Sequence, residues 1–191
     1  MAETLRLFIS ATRDLEAERA IIGRAIARLP VEIGIEIRRT PFTGAPYEDI
    51  YEWIANVDRV FFLMGEDITA PAGMEWFTSW KLERTIIPLR RGSRHTQAAL
   101  EFMRTIPVKW INFNSGAELA RIITLEMARI LNHPQNRYGL TLTELEKLHL
   151  HASLVEKHGI RTENEAGGAQ GGAVLLDIGH REPLDGELVT G

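Results

Sequence analysis

A doubly wound α/β fold of the flavodoxin-like kind, one five-stranded parallel sheet flanked by helices, is the expectation for residues 1–132. Three observations lead there. Short strand-like runs alternate with amphipathic helical patterns five times over, an alternation that calls for parallel strands joined by right-handed crossovers. One of the runs, Val60-Phe61-Phe62-Leu63-Met64, is apolar throughout, as expected of a central strand covered on both faces. Helix starts and stops are marked where the alternation needs them, by Pro30, Pro46 and the capping box Ser115-Gly116-Ala117-Glu118.

Taken in order, Leu5-Arg6-Leu7-Phe8-Ile9-Ser10 is a mostly buried strand. A helix follows, with Asp14 as its cap and Leu15, Ile22, Ile26 and Leu29 recurring at helical spacing. Its acids come early (Asp14, Glu16, Glu18) and its bases late (Arg24, Arg28), which suits the helix dipole. Val31, Ile33, Ile35 and Ile37 alternate with Glu32, Gly34, Glu36 and Arg38, the period of a second strand with one wetter face. Pro46 opens a helix on which Tyr47, Ile50, Tyr51 and Ile54 form one stripe. After the third strand, a loop from Gly65 to Gly73 precedes a short helix bearing Glu75, Trp76 and Trp80. The fourth strand is Thr85-Ile86-Ile87-Pro88-Leu89, whose proline points to a strand end or an edge. A helix near Gln97–Met103, a fifth strand Val108-Lys109-Trp110-Ile111 and a long helix with Leu119, Ile122, Ile123, Met127 and Ile130 inward complete the set.

Beyond Asn132 the pattern changes. Residues 133–160 are expected to add a helical extension, opened by a capping box at Thr143-Glu144-Leu145-Glu146 and ending near Gly159. Residues 161–191 are glycine-rich, with Gly167-Gly168 and Gly171-Gly172, and read as a flexible tail. Within that tail Ala173-Val174-Leu175-Leu176-Asp177-Ile178 has the makings of one strand, which would need a partner protein or a further domain to pair with.

Composition narrows the function. The 191 residues are 45% hydrophobic and 25% charged with a net charge of -4, so nothing favours direct nucleic-acid or membrane-surface binding. With no cysteine there is no disulfide, no thiolate nucleophile and no thiolate metal site. His149 and His151, two apart on a helix, face different directions and make a poor metal pair, so no metal site is expected. The start Met1-Ala2-Glu3-Thr4 lacks the features of a signal peptide, and no apolar run approaches the roughly 20 residues of a membrane span. A cytoplasmic protein is the expectation.

In a doubly wound sheet, ligands bind beyond the carboxyl ends of the strands, so candidate site residues lie at Ser10–Asp14, Arg39–Gly44, Gly65–Glu75, Arg90–Arg94 and Asn112–Ser115. No dinucleotide-binding G-x-G-x-x-G follows the first strand, and no phosphate-binding P-loop is present. A phospho-receiver domain would carry an acidic pair, an aspartate and a lysine where Ser10, Gly65 and Asn112 stand.

Phe8-Ile9-Ser10-Ala11-Thr12-Arg13-Asp14-Leu15-Glu16-Ala17-Glu18-Arg19 is the most specific stretch. It resembles the opening signature of Toll/interleukin-1 receptor-like (TIR-like) domains of bacterial conflict systems, of the kind found at the N-terminus of STAND NTPases. Asn56–Gly65 is similar to the family's third-strand motif, and Glu75-Trp76 with Ile86-Ile87-Pro88-Leu89 is similar to its glutamate-aromatic helix and following strand. The resemblance spans about residues 5–132. It implies hydrolysis of NAD, taken as substrate with no cofactor, in antiviral defence signalling, by an enzyme that becomes active on self-assembly through TIR-TIR contacts. By the same resemblance Glu75 is the catalytic residue, and Ser10, Ala11, Arg13, Arg39, Phe42, Gly65 and Trp76 form the substrate pocket. The sequence departs from the pattern at Ala72, where catalytic members often carry serine or cysteine three residues before the glutamate.

The residues taken alone leave other readings open. Glu75 is also what the first turn of a helix favours through its dipole, and Trp76, Phe77 and Trp80 are also what a core would use. Two other functions remain as alternatives: a non-catalytic TIR-like interaction module, and a nucleoside deoxyribosyltransferase-like enzyme sharing the fold and a catalytic glutamate.

Overall fold

The computed structural model describes residues 2–92 and 94–169. Five strands, β1 (Leu5–Ala11), β2 (Ile35–Arg38), β3 (Arg59–Met64), β4 (Thr85–Arg91) and β5 (Ile111–Phe113), form one all-parallel sheet in the order β2-β1-β3-β4-β5. Between them run α1 (Glu16–Ala27), α2 (Tyr47–Ala55), α3 (Ala70–Lys81) and α4 (Gln97–Thr105), and α5 (Gly116–Leu131) and α6 (Leu142–Ala169) follow. This is the flavodoxin-like doubly wound order, with its switch point at the carboxyl ends of β1 and β3.

Period-two alternation sorts the strands' side chains between two layers. Leu7, Ile9, Phe61 and Leu63 face α1 and α5, where they join Ile22, Leu119, Ile123 and Met127. Phe8 and Val60 meet Ile50 and Ile54 of α2, and Phe62 and Met64 meet Ala72 and Trp76 of α3 and Met103 of α4. Every side chain from Val60 to Met64 is buried, as its unbroken apolar run requires.

Several local expectations are corrected. β2 begins only at Ile35; Val31 and Ile33 approach it as connecting chain and still pack on the core. β5 is Ile111–Phe113 rather than 108–111, and Trp110 turns its ring into the α3–α4 layer. Pro88 lies in the sheet interior by strand order, yet the β4–β5 register starts at Leu89, so β4 is locally an edge at the proline. Asp14 caps no helix: a 3-10 turn over Arg13–Leu15 precedes α1, and its N-cap side chain makes no capping bond. The box at Ser115 forms as expected, Glu118 N–H donating to Ser115 Oγ at 3.1 Å. The second box is displaced by two residues, with Glu144 N–H donating to Thr141 Oγ1 and Thr141 N–H to Glu144 Oε2.

The extension belongs to the same core. Tyr138, Leu140 and Leu148 are buried in the α1–α5 layer, and α6 lies on α5. Gly139 makes this possible with φ +70, and a Cβ there would press on Ala2. α6 does not stop near Gly159 but runs to Ala169, through the first part of the segment expected to be flexible. Glu163, Glu165, Ala166 and Ala169 are good helix formers, and an interior glycine costs a helix only about 1 kcal/mol. The rest of that tail, including the strand expected over 173–178, lies outside the described residues. Among the described residues no helix is long and apolar enough to cross a membrane.

Candidate active site

The site is built where the chain leaves β1 and β2. Phe8 and Ser10 share one face of β1, so the alternation that buries Phe8 against α2 also turns the Ser10 hydroxyl toward α3. The ladder continues one step past the strand, Thr12 N–H donating to the Leu63 carbonyl at 3.1 Å, which holds the end of β1 rigidly against β3.

α3 enters from the loop after β3, with Thr69 extended at its N-cap and Pro71 in its first turn, where a missing N–H does no harm. Glu75 is its sixth residue, in the second turn, on the side that also buries Ala72, Trp76 and Ser79. A glutamate placed there by the helix dipole would stand in the first turn and face water; this one is 2% exposed. Ser79 Oγ donates back to the Glu75 carbonyl at 2.7 Å.

Each carboxylate oxygen of Glu75 accepts one hydroxyl. Ser10 Oγ donates to Oε2, and Thr40 Oγ1, from the loop after β2, donates to Oε1. Burial pushes the Glu75 carboxyl above its ordinary value, while the two hydroxyls and the positive charge of Arg19 oppose that rise. The result is one inward carboxylate at the switch point, gripped from two strand ends and covered by the Thr40 loop.

Around it the expected residues take different places. Arg39 forms an ion pair with Glu16, which ties the loop after β2 to α1. Phe42 is 76% exposed at the rim, with the Arg13 guanidinium 5.9 Å from its ring centre. Ala11 contributes its carbonyl, which accepts from Arg19 Nη2 at 3.3 Å. Gly65 is a joint: its N–H donates to Thr12 Oγ1 at 2.9 Å, and its carbonyl lies 2.9 Å from His95 Nδ1. Asp14 closes over it, accepting from Thr12 Oγ1 at 2.7 Å and from Glu66 N–H at 2.9 Å, so a Cβ at position 65 would overlap the Asp14 carboxylate.

Trp76 is packed in the core. It is 4% exposed, edge-on to Phe62 at 4.8 Å and stacked on Trp110 at 5.6 Å, with both faces committed to the core. One step along a helix turns a side chain by about 100°, so on the same buried side Glu75 reaches Ser10 and Thr40 while Trp76 reaches the aromatic cluster. Phe77 and Trp80 of the same helix are more than half exposed.

Two residues of the site were not singled out by sequence. Thr40 lies two positions beyond β2, inside the Arg39–Gly44 stretch, and only its hydroxyl distinguishes it there. Arg19 closes the Asp14–Arg19 motif and reads as a helix-surface base, yet its side chain is only 9% exposed. A crevice of about 1230 Å³ between α1, α5 and α6 lies elsewhere, lined by residues such as Arg28, Ser115, Arg121, His151 and Leu154; it takes in Asn114 and Ser115 of the candidate stretches but neither Glu75 nor its partners. Among the described residues no three histidine, aspartate or glutamate side chains are grouped to hold a metal ion.

Neither a protein-family model nor a curated protein matches the chain. Among solved structures it is similar to the CMP N-glycosidase BcmB of Clostridium botulinum, at 18% identity and a TM-score of 0.46, over 63% of this chain and 98% of that one. The flavodoxin-like assignment rests on the strand order and crossovers themselves.

Proposed function

We propose that this chain is a nucleotide N-glycoside hydrolase of the TIR-like type, cleaving NAD between nicotinamide and ribose with Glu75 as its catalytic residue. The observation that carries the reading is the Glu75 carboxylate itself, buried at the switch point with both oxygens held by hydroxyls. A purely structural pairing there would need no charge.

The chemistry suits a single carboxylate. Nicotinamide leaves NAD as a neutral molecule, taking the C1′–N bond electrons, so no acid is needed to protonate it. A ribose cation of oxocarbenium character remains, and a carboxylate beside C1′ stabilises it. Water then adds to C1′ and gives up one proton, which Glu75, with its raised proton affinity, is suited to take. The products are ADP-ribose, nicotinamide and a proton.

Ribose hydroxyls replace Ser10 and Thr40 as donors to Glu75 when substrate enters. Entry requires the loop bearing Thr40 and Phe42 to withdraw, a step assigned to self-assembly of the chain. Phe42 and Arg13 then offer an aromatic face and a cation at the pocket mouth.

The test is base release by the purified chain, at high concentration and with a crowding agent, wild type beside Glu75→Gln. NAD, CMP and a deoxynucleoside are offered separately. Nicotinamide release by wild type alone is the expected result. Release of cytosine from CMP instead would keep the glycoside hydrolase and reject the NAD assignment. Consumption of the deoxynucleoside alone would favour a deoxyribosyltransferase-like enzyme. If nothing is consumed even when the chain is assembled, a non-catalytic interaction module replaces the proposal.

A further inference from the structure

The crevice between α1, α5 and α6 carries a charge that the described residues leave unanswered. Arg24 and Arg28 stand one turn apart at the end of α1 and border it together with Arg121 of α5, while Glu118 is the one acid among its lining residues. Glu118 is already committed, its Oε2 accepting from Asn114 N–H at 2.7 Å. Arg24 and Arg28 are exposed, and neither side chain makes a hydrogen bond or ion pair among the described residues. Arg39, Arg91 and Arg137, by contrast, are each paired with a carboxylate. The helix dipole accounts for two bases late in α1, but like charges one turn apart repel and need a shared counter-charge. Apolar side chains complete the lining, among them Ile21, Ala25, Ala120, Val155 and Leu154, which is 47% exposed. At about 1230 Å³ the crevice is larger than the roughly 300–1,000 Å³ of small-molecule pockets, a size that suits a stretch of chain.

We propose that this crevice is the docking site of the chain's own acidic segment, residues 177–185. The segment carries Asp177, Glu182 and Asp185 against one arginine, Arg181, so it brings the counter-charge that Arg24 and Arg28 lack. Ile178 and Leu184 supply apolar side chains to match the lining. The length of the connection fixes which residues arrive. α6 borders the crevice as far as His158 and ends at Ala169, eleven residues on, or about 16 Å of helix. Gly171-Gly172 permits the chain to reverse there, and a return at about 3.3 Å per residue covers that distance by Ile178. The residues that follow, Glu182 and Asp185 among them, then run along the crevice. Individual exposed ion pairs are weak, but a tethered segment binds at high effective concentration, so a few of them suffice. Docked, the segment straps α6 to α1. The inference does not depend on the hydrolase reading.

The experiment uses the full chain, whose lack of native cysteine allows a single nitroxide at Gly186→Cys, just beyond the segment. The expected result is loss of the backbone amide NMR signals of Ala25, Ala120 and Val155, while those of Ile50 and Ile54, in the layer across the sheet, persist. Arg24→Glu with Arg28→Glu returns the lost signals, and adding Glu182→Lys with Asp185→Lys removes them again. Salt at 1 M, where the Debye length is about 3 Å, also returns signal. Equal broadening at the crevice and at α2, or none at either, overturns the inference. So does a loss that survives Arg24→Glu with Arg28→Glu, because charge then does not recruit the segment. Should that pair fail to fold, the salt titration of the labelled chain decides, and a pattern unchanged at high salt overturns the inference. A final sample mixes isotope-labelled chain lacking the nitroxide with nitroxide-labelled chain lacking the isotope. Intact signals there support docking within one chain, and loss of the crevice signals assigns the site to a second copy's segment and overturns it.

Discussion

Adding one methyl group at Gly65 tests how the end of β1 is held. A Cβ at this position would overlap all three carboxylate atoms of Asp14, so the carboxylate must swing away. In doing so it gives up its bonds from Thr12 Oγ1 at 2.7 Å and Glu66 N–H at 2.9 Å. Hydrogen bonds to a charged group contribute about 1.5–3 kcal/mol each. Asp14 is exposed and water takes up part of the loss, so Gly65→Ala is expected to cost roughly 2–4 kcal/mol, with crowding included. Asp14→Ala loses the same two bonds without the overlap and is expected to cost about 1–3 kcal/mol. With the carboxylate gone the overlap goes with it, so the double variant should be no less stable than Asp14→Ala alone. The two costs therefore fail to add, with a coupling of about 2–4 kcal/mol. Urea unfolding followed by tryptophan fluorescence measures the cycle, and in a domain of this size Gly65→Ala should lower Tm by about 5–15 °C. Additive costs in the cycle, or a Gly65→Ala midpoint equal to wild type, would refute the packing of Asp14 on Gly65.

The remaining predictions concern α3. Glu75 has a folded-state proton affinity above its unfolded one, so the native state binds the extra proton and stability falls as pH rises through that window. Glu75→Gln is therefore expected to melt higher than wild type at neutral and alkaline pH, the gap closing below the ordinary carboxylate range; calorimetry across pH checks this. A lower Tm for the variant at pH 8 would show that the hydroxyls and Arg19 outweigh burial. Trp76→Ala removes an aromatic ring packed on Phe62, Phe102 and Trp110 and should cost about 3–5 kcal/mol, read from the urea midpoint. Trp76→Phe, which keeps an aromatic ring in the core, should leave nucleotide turnover unchanged wherever wild type has it, and a selective rise in KM would return Trp76 to the pocket.

What was legible in the sequence depended on range. The parallel sheet was readable because each crossover announces itself locally, in the apolar run Val60–Met64 or the box at Ser115 and Glu118. Boundaries were less so, since Val31 and Ile33 are as apolar as Ile35 and only the pairing with Leu5 decides where β2 begins. Thr141 and Thr143 are both followed by a glutamate at capping distance, and packing of Leu145 and Leu148 onto α5 selects the first.

The site divides along the same line. Sequence by itself determined that Ser10 lies near the carboxyl end of a buried strand, one residue before its actual end at Ala11, that Glu75 lies early in the helix after the third strand, and that both belong to the carboxyl edge of the sheet. Those are local facts, set by period and position within one element. Only the tertiary structure decided that Glu75 turns inward while Trp76, one residue on, joins the core. It alone brought Thr40 from 35 residues away onto the second carboxylate oxygen and folded Arg19 beneath the end of β1. A hydroxyl or guanidinium carries no periodic signature of its own. Its partner is chosen by burial, where an unpaired polar group is expensive, and burial is a property of the packed chain.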